Sequence, residues 1–138
     1  MTTREQFKIM HSNIMMCFQL IEFDLKRIYA QMSQDSFADG MDMLETSNLG
    51  NTLRKLKSLD QSDGDPWLSE SDYNELDRIR ELRNYWCHQC YLDYIYIQDD
   101  NQQEAKFQKI ANRLSNEYNR INKLQQKIEN IYFDWFID

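Results

Sequence analysis

Glycine and proline are almost missing from this chain of 138 residues, which holds three Gly and a single Pro, Pro66. Turns in β-rich folds use both heavily, so an all-β sandwich or barrel is excluded. A doubly wound α/β fold is excluded as well, because no Gly-rich βα turn is present to cradle a phosphate. No apolar run reaches the length of a membrane span, so no membrane association through a helix is expected. Cysteine is scarce: Cys17, Cys87 and Cys90 form an odd set without framework spacing, the pattern of reduced thiols in a cytoplasm. The opening residues Met1 to Gln6 are polar and include Arg4 and Glu5, unlike a signal peptide. Disorder is excluded by 41% apolar and 13% aromatic residues. One domain spanning 1–138 is expected, long enough to bury a core without disulfide or metal staples. With 16 basic and 23 acidic residues the net charge is −7, which opposes non-specific nucleic-acid binding. A locally basic groove remains open to RNA.

What is present is helical periodicity. Phe7, Met10, Ile14, Cys17, Phe18, Ile21, Leu25, Ile28 and Met32 recur at steps of three and four, predicting one amphipathic helix from 3 to about 33. A short helix is expected over Phe37 to Glu45, despite Gly40. Another, capped by Thr46 or Ser47, is expected over Leu49 to Leu59. Residues 60–68 hold Gly64 and Pro66 and read as the clearest loop. Ser69, three residues before Asp72, is placed to cap the next helix, which is read as continuing to about Tyr96. The last helix, 101 to 136, carries Phe107, Ile110, Leu114, Tyr118, Ile121, Leu124, Ile128, Ile131 and Trp135 on one face. Its Lys and Arg residues make it locally basic. The expected fold is therefore all-α, a four- to five-helix up-and-down bundle with long N- and C-terminal helices. Helices of that length favour a homodimer.

The chemistry is concentrated in a segment of 14 residues that holds Arg78, Arg80, Arg83, Asn84, Cys87, His88, Cys90 and Tyr91. On a wheel of about 100° per residue, Arg83 falls inside the stripe of Leu76, Ile79, Trp86 and Cys90. A guanidinium cannot lose its proton, so burial demands a partner opposite it: a carboxylate, another subunit or a bound anion. Arg80, Tyr91, Asn84 and His88 fall along the edge of the same helix and predict a cationic, hydrogen-bonding ridge beside an apolar seam.

Arg83-Asn84-Tyr85-Trp86-Cys87-His88 resembles the Arg-x4–6-His motif of the HEPN superfamily, the helical nucleotide-binding and ribonuclease domains of prokaryotic defence and toxin–antitoxin systems. With eight Arg and two His in the chain, an Arg-x4-His arises by chance with odds of roughly 0.1, and of roughly 0.01 once Asn must follow the Arg. The resemblance implies a bundle of four or five helices with the motif on a late helix. It also implies a homodimer in which two facing motifs cleave RNA without a metal or other cofactor. Arg83 and His88 would then be the catalytic pair, Asn84 their polar support, and Arg80 and Tyr91 substrate contacts. RNA would be the substrate, and an antitoxin or regulatory protein the restraining partner. Many toxin members place a Tyr two residues after the His. Here Cys90 stands at that position, which puts in doubt any role that needs that Tyr.

Other readings of the same residues compete. Arg83 is also explained as a structural cation held by Glu22 or Asp24, with His88 merely exposed. Cys87, His88 and Cys90, with Cys17 or His11, invite a metal, but no second paired knuckle is visible, so no metal site is assigned. The tail Tyr132, Phe133, Trp135 and Phe136 is apolar enough to be expected to dock on the bundle or on a partner. A HEPN-like interaction module without catalysis, binding a protein partner or nucleotide, is the alternative function.

Overall fold

The computed structural model describes residues 1–62 and 64–136, with side chains to Asp134. Six helices and no strand occur among the described residues: α1 (Arg4–Met32), α2 (Phe37–Leu44), α3 (Leu49–Asp60), α4 (Glu70–His88), α5 (Leu92–Ile95) and α6 (Asp100–Phe136). The chain is all-α, as its spacing predicts. None of the helices is long and apolar enough to cross a membrane.

Local chemistry sets most helix ends. Thr3 opens α1 with a reciprocal cap: its hydroxyl accepts from the Gln6 N–H at 3.0 Å, and its own N–H donates to Gln6 Oε1 at 2.9 Å. Ser69 and Asp72 do the same for α4. The expected cap of α3 at Thr46 or Ser47 is corrected to Asn48, whose Oδ1 accepts from the Asn51 N–H at 2.8 Å. Asp99 opens α6 by accepting from the Gln102 N–H.

Side-chain contacts give the helix directions. Arg4 meets Glu104, and Arg27 lies over the Tyr132 ring, so α1 and α6 run parallel. Between them α4 runs the other way, with His11 against Trp86, Glu22 against Arg83 and Asp72 against Lys127. Lys57 pairs with Glu70 while Gly50 faces Arg80, so α3 opposes α4. Apart from the single-turn α5, successive helices alternate in direction. Their common core is Phe7, Ile14, Phe18, Ile21 and Leu25 of α1, Leu76, Ile79 and Trp86 of α4, and Phe107, Leu114, Ile121 and Ile128 of α6, all buried. Its closeness explains Gly40 inside α2: a Cβ there would lie 2.8 Å from Ala30 Cα, so only a glycine lets α2 rest on α1.

One further expectation needs correction. The fourth helix does not continue to Tyr96. It ends at His88, where the N–H groups of Gln89 and Cys90 both donate to the Tyr85 carbonyl, and the chain turns into α5. The turn buries Cys90 and Tyr94 and sets Tyr91 against Phe7 and Tyr94 against Phe107. A continuing helix would have carried these rings away from the core. In the apolar tail Tyr132 is buried but Phe133 is 46% exposed. The side chains of Trp135 and Phe136, also expected to dock, lie outside the described residues.

Candidate functional site

The last two turns of α4 carry the motif. The apolar positions of α4 turn the Arg83 face toward α1, where Arg83 Nη1 donates to Glu22 Oε2 at 2.9 Å. Of the partners the sequence left open, a carboxylate, another subunit or a bound anion, the one present is the carboxylate of Glu22, as the reading of Arg83 as a structural cation expects. Asp24, the other possibility, is buried and held by Arg27, and burial pushes its carboxyl above the ordinary value against the pull of that guanidinium. Arg83 keeps 29% of its side chain exposed and Glu22 24%, and Lys26 Nζ approaches the far oxygen of Glu22 at 3.7 Å. Among the described residues this is Arg83's one hydrogen bond, so most of its five N–H donors remain open to a ligand.

Asn84 and His88 are exposed, one turn apart, and neither has a hydrogen-bonding partner among the described residues. Arg80 continues the same exposed face one turn earlier, its guanidinium resting against Gly50 of α3. The expected ridge therefore exists as Arg80, Asn84 and His88. Tyr91 is not on it. The end of the helix at His88 carries its ring into the edge of the core, 5.6 Å from Phe7 and 5.2 Å from His11 between ring centroids. Arg83 and His88 leave the helix in different directions and do not meet within one chain.

Several residues that hold this end of α4 escaped sequence reasoning. His11 Nε2 donates to the Trp86 carbonyl at 2.6 Å, which frees that position from solvent and ties α1 to α4. The buried Trp86 indole donates to Glu117 of α6, which also accepts from Arg113 Nε at 2.8 Å. Arg113 lies 4.0 Å over the Tyr85 ring. Tyr85 in turn donates to Asp93 at 2.8 Å, and Gln89 donates to the other oxygen at 2.9 Å. The hydrogen bonds from Gln89 and Tyr85 hold the Asp93 carboxyl below its ordinary value, whereas burial and then Asp93 raise the Tyr85 phenol. These contacts tie the motif end of α4 to α1, α5 and α6. The period-3.6 pattern of α1 and α6 specified neither His11 and Glu117 nor their partners.

Cys87 is exposed, whereas Cys90 is buried with its thiol directed to the Trp86 carbonyl at 3.3 Å. The two thiols thus point to different environments despite their Cys-x2-Cys spacing. No group of three or more His, Cys, Asp or Glu among the described residues is arranged to hold a metal ion. Compared with protein-family models, with curated proteins and with solved structures, the chain matches none.

Proposed function

We propose that this chain is a metal-independent endoribonuclease of the HEPN type, working in the cytoplasm as a homodimer within a toxin–antitoxin or phage-defence system. The observation that carries the reading is the condition of the α4 end. Among the described residues Arg83 is anchored by Glu22 through one donor and makes no other hydrogen bond, while Asn84 and His88 stand exposed without a hydrogen-bonding partner on the same two turns. In this reading His88 takes the proton of an RNA 2′-hydroxyl, the work an imidazole does near neutral pH. The 2′-oxygen bonds to phosphorus, the bond to the 5′-oxygen breaks, and that oxygen takes up a proton. The products are a 2′,3′-cyclic phosphate and a 5′-hydroxyl. Arg83 stabilises the charge that develops on the phosphorane. Asn84 orients the imidazole or the scissile phosphate, and Arg80 holds the strand. Because Arg83 and His88 diverge within one chain, the pair acting on one phosphate comes from two facing subunits. An antitoxin or sensor protein restrains the dimer.

The test is incubation of the purified protein with total RNA in EDTA, beside Arg83→Ala and His88→Ala proteins of unchanged helicity. Cleavage leaving cyclic phosphate ends, lowered at least about a hundredfold in both variants, is the expected result. No cleavage, or equal cleavage by all three proteins, refutes it.

A second reading, a module that binds a protein partner or nucleotide without catalysis, is favoured by a different observation. Ile9, Met16, Leu20 and Phe23 follow one another along a single face of α1, each between 38% and 64% exposed. Such a stripe is characteristic of an association surface. This reading expects RNA to remain intact and association to be lost in Leu20→Asp.

A further inference from the structure

We propose that the cleft between α3 and α4 is a strand-positioning site, in which Arg54 and Arg80 grip one backbone phosphate of a single-stranded RNA. The inference takes its ligand from the ribonuclease reading, but the binding it describes does not require catalysis. It starts from the fate of the eight arginines. Arg4, Arg27, Arg78, Arg83, Arg113 and Arg120 each hold a carboxylate within ion-pair distance. Arg54 and Arg80 have no ion pair among the described residues, although acidic residues outnumber basic ones in the chain. Both line the same open cleft, of about 440 Å³, together with Gly50, Asp77, Arg78 and Glu81.

Three features suit that cleft to a nucleotide unit. Gly50 has no side chain where one would collide: a Cβ there would lie 2.7 Å from Arg80 Nη1. The guanidinium can therefore lie against the first turn of α3, whose positive dipole end adds to its field. Arginine meets a phosphodiester bidentately, so two arginines fix both its position and its orientation. Asp77 and Glu81 share the rim and are likewise without ion pairs among the described residues. They offset part of the charge of Arg54 and Arg80, which weakens the cleft for any anion and most for a polyanion such as pyrophosphate. As acceptor-only groups they suit the 2′-hydroxyl of the attached ribose, the group that distinguishes RNA from DNA. Arg80 precedes His88 by two turns, about 12 Å along the helix. A phosphate held there belongs to a nucleotide near the scissile one on the same strand.

The experiment measures fluorescence anisotropy of a labelled single-stranded 12-nucleotide RNA on His88→Ala protein, which preserves the strand. Adding Arg54→Ala or Arg80→Ala is expected to weaken binding about tenfold and to lower the salt slope of log K by about 0.7 per lost phosphate contact. Gly50→Ala, which keeps every charge and pushes the Arg80 guanidinium aside, is expected to weaken it too. Lys109→Ala on α6 is expected to leave it unchanged. DNA of the same sequence is expected to bind several-fold less tightly, and inorganic pyrophosphate not to compete at equal ionic strength. The site is overturned if the parent binds no RNA, if Arg54→Ala and Arg80→Ala bind as the parent does, or if Lys109→Ala weakens binding as much. Equal DNA affinity or competition by pyrophosphate overturns the assignment of an RNA diester. The two readings fail separately. Arg54-dependent binding in a protein whose wild type cuts nothing sinks the nuclease and keeps the cleft. Cleavage with a KM indifferent to Arg54→Ala sinks the cleft alone.

Discussion

Replacing Arg83 with Ala separates a cation that holds the fold from one held ready for a ligand. Exposed ion pairs contribute about 0.2–1 kcal/mol, whereas breaking a buried pair costs about 3–5 kcal/mol. The Arg83–Glu22 pair, at 2.9 Å, keeps about a quarter of each side chain in water, which places it between the two limits and still within reach of solvent screening. Lys26 also stays within 3.7 Å of Glu22 after the substitution, so the carboxylate is not left alone. The expected loss is therefore about 1 kcal/mol, with a coupling of about 0.5–1 kcal/mol in a double-mutant cycle with Glu22→Ala. Urea unfolding followed by far-ultraviolet circular dichroism reads both values, and the denaturant slope should not change. A domain with about 5–15 kcal/mol of stability remains folded after such a loss, so an activity defect in Arg83→Ala would report on chemistry. A loss of 3 kcal/mol or more would refute the reasoning and make Arg83 a structural anchor of the α1–α4 contact.

Asp60 is 2% exposed and accepts from the N–H groups of Trp67 and Leu68 and from the Tyr73 hydroxyl. Asp60→Ala leaves three donors stranded and should cost about 4 kcal/mol in urea unfolding, with a loss under 1 kcal/mol counting against it. Gly40→Ala sets a Cβ against backbone, 2.8 Å from Ala30 Cα, and should lower stability by about 1–3 kcal/mol. Gly50→Ala crowds only the far end of the Arg80 side chain, with Asn48 Oδ1 at an ordinary 3.5 Å, and should raise stability by up to about 1 kcal/mol, so thermal melts should move in opposite directions. Of the three thiols only the exposed Cys87 should react quickly with iodoacetamide in the folded protein. Burial pushes Cys90 up from its ordinary 9.0 to about 11. The folded chain then keeps a proton that the unfolded chain releases. This contribution is whole below pH 9 and is lost as pH rises from 9 to 11, a slope that should flatten in Cys90→Ala.

The helices were legible because their signals are local. The three- and four-residue steps of α1 and α6, and the Ser69 to Asp72 capping pair, act within a turn or two of chain, and the observed helices start and stop near them. Arg83 was legible for the same reason, since a cation inside an apolar stripe announces a partner wherever the helix packs. The end of α4 was not. Residues up to Tyr96 can all continue a helix, and the turn after His88 is preferred because it buries Cys90 and sets Tyr91 against Phe7 of α1 and Tyr94 against Phe107 of α6. Tyr91 left the expected ridge through the same event.

Sequence periodicity and capping chemistry were sufficient to specify an all-helical chain, its long terminal helices and the helix that bears Arg83, Asn84 and His88. Contacts between helices selected Glu22 over Asp24 for Arg83, set Asp60 under the loop that follows α3, and left Arg54 and Arg80 on one cleft without an ion pair among the described residues. The division has a physical cause. Helix formation is governed by hydrogen bonds and side-chain spacing three or four residues apart. An ion pair or a cleft depends instead on groups far apart in the chain, whose distances arise only when the bundle closes.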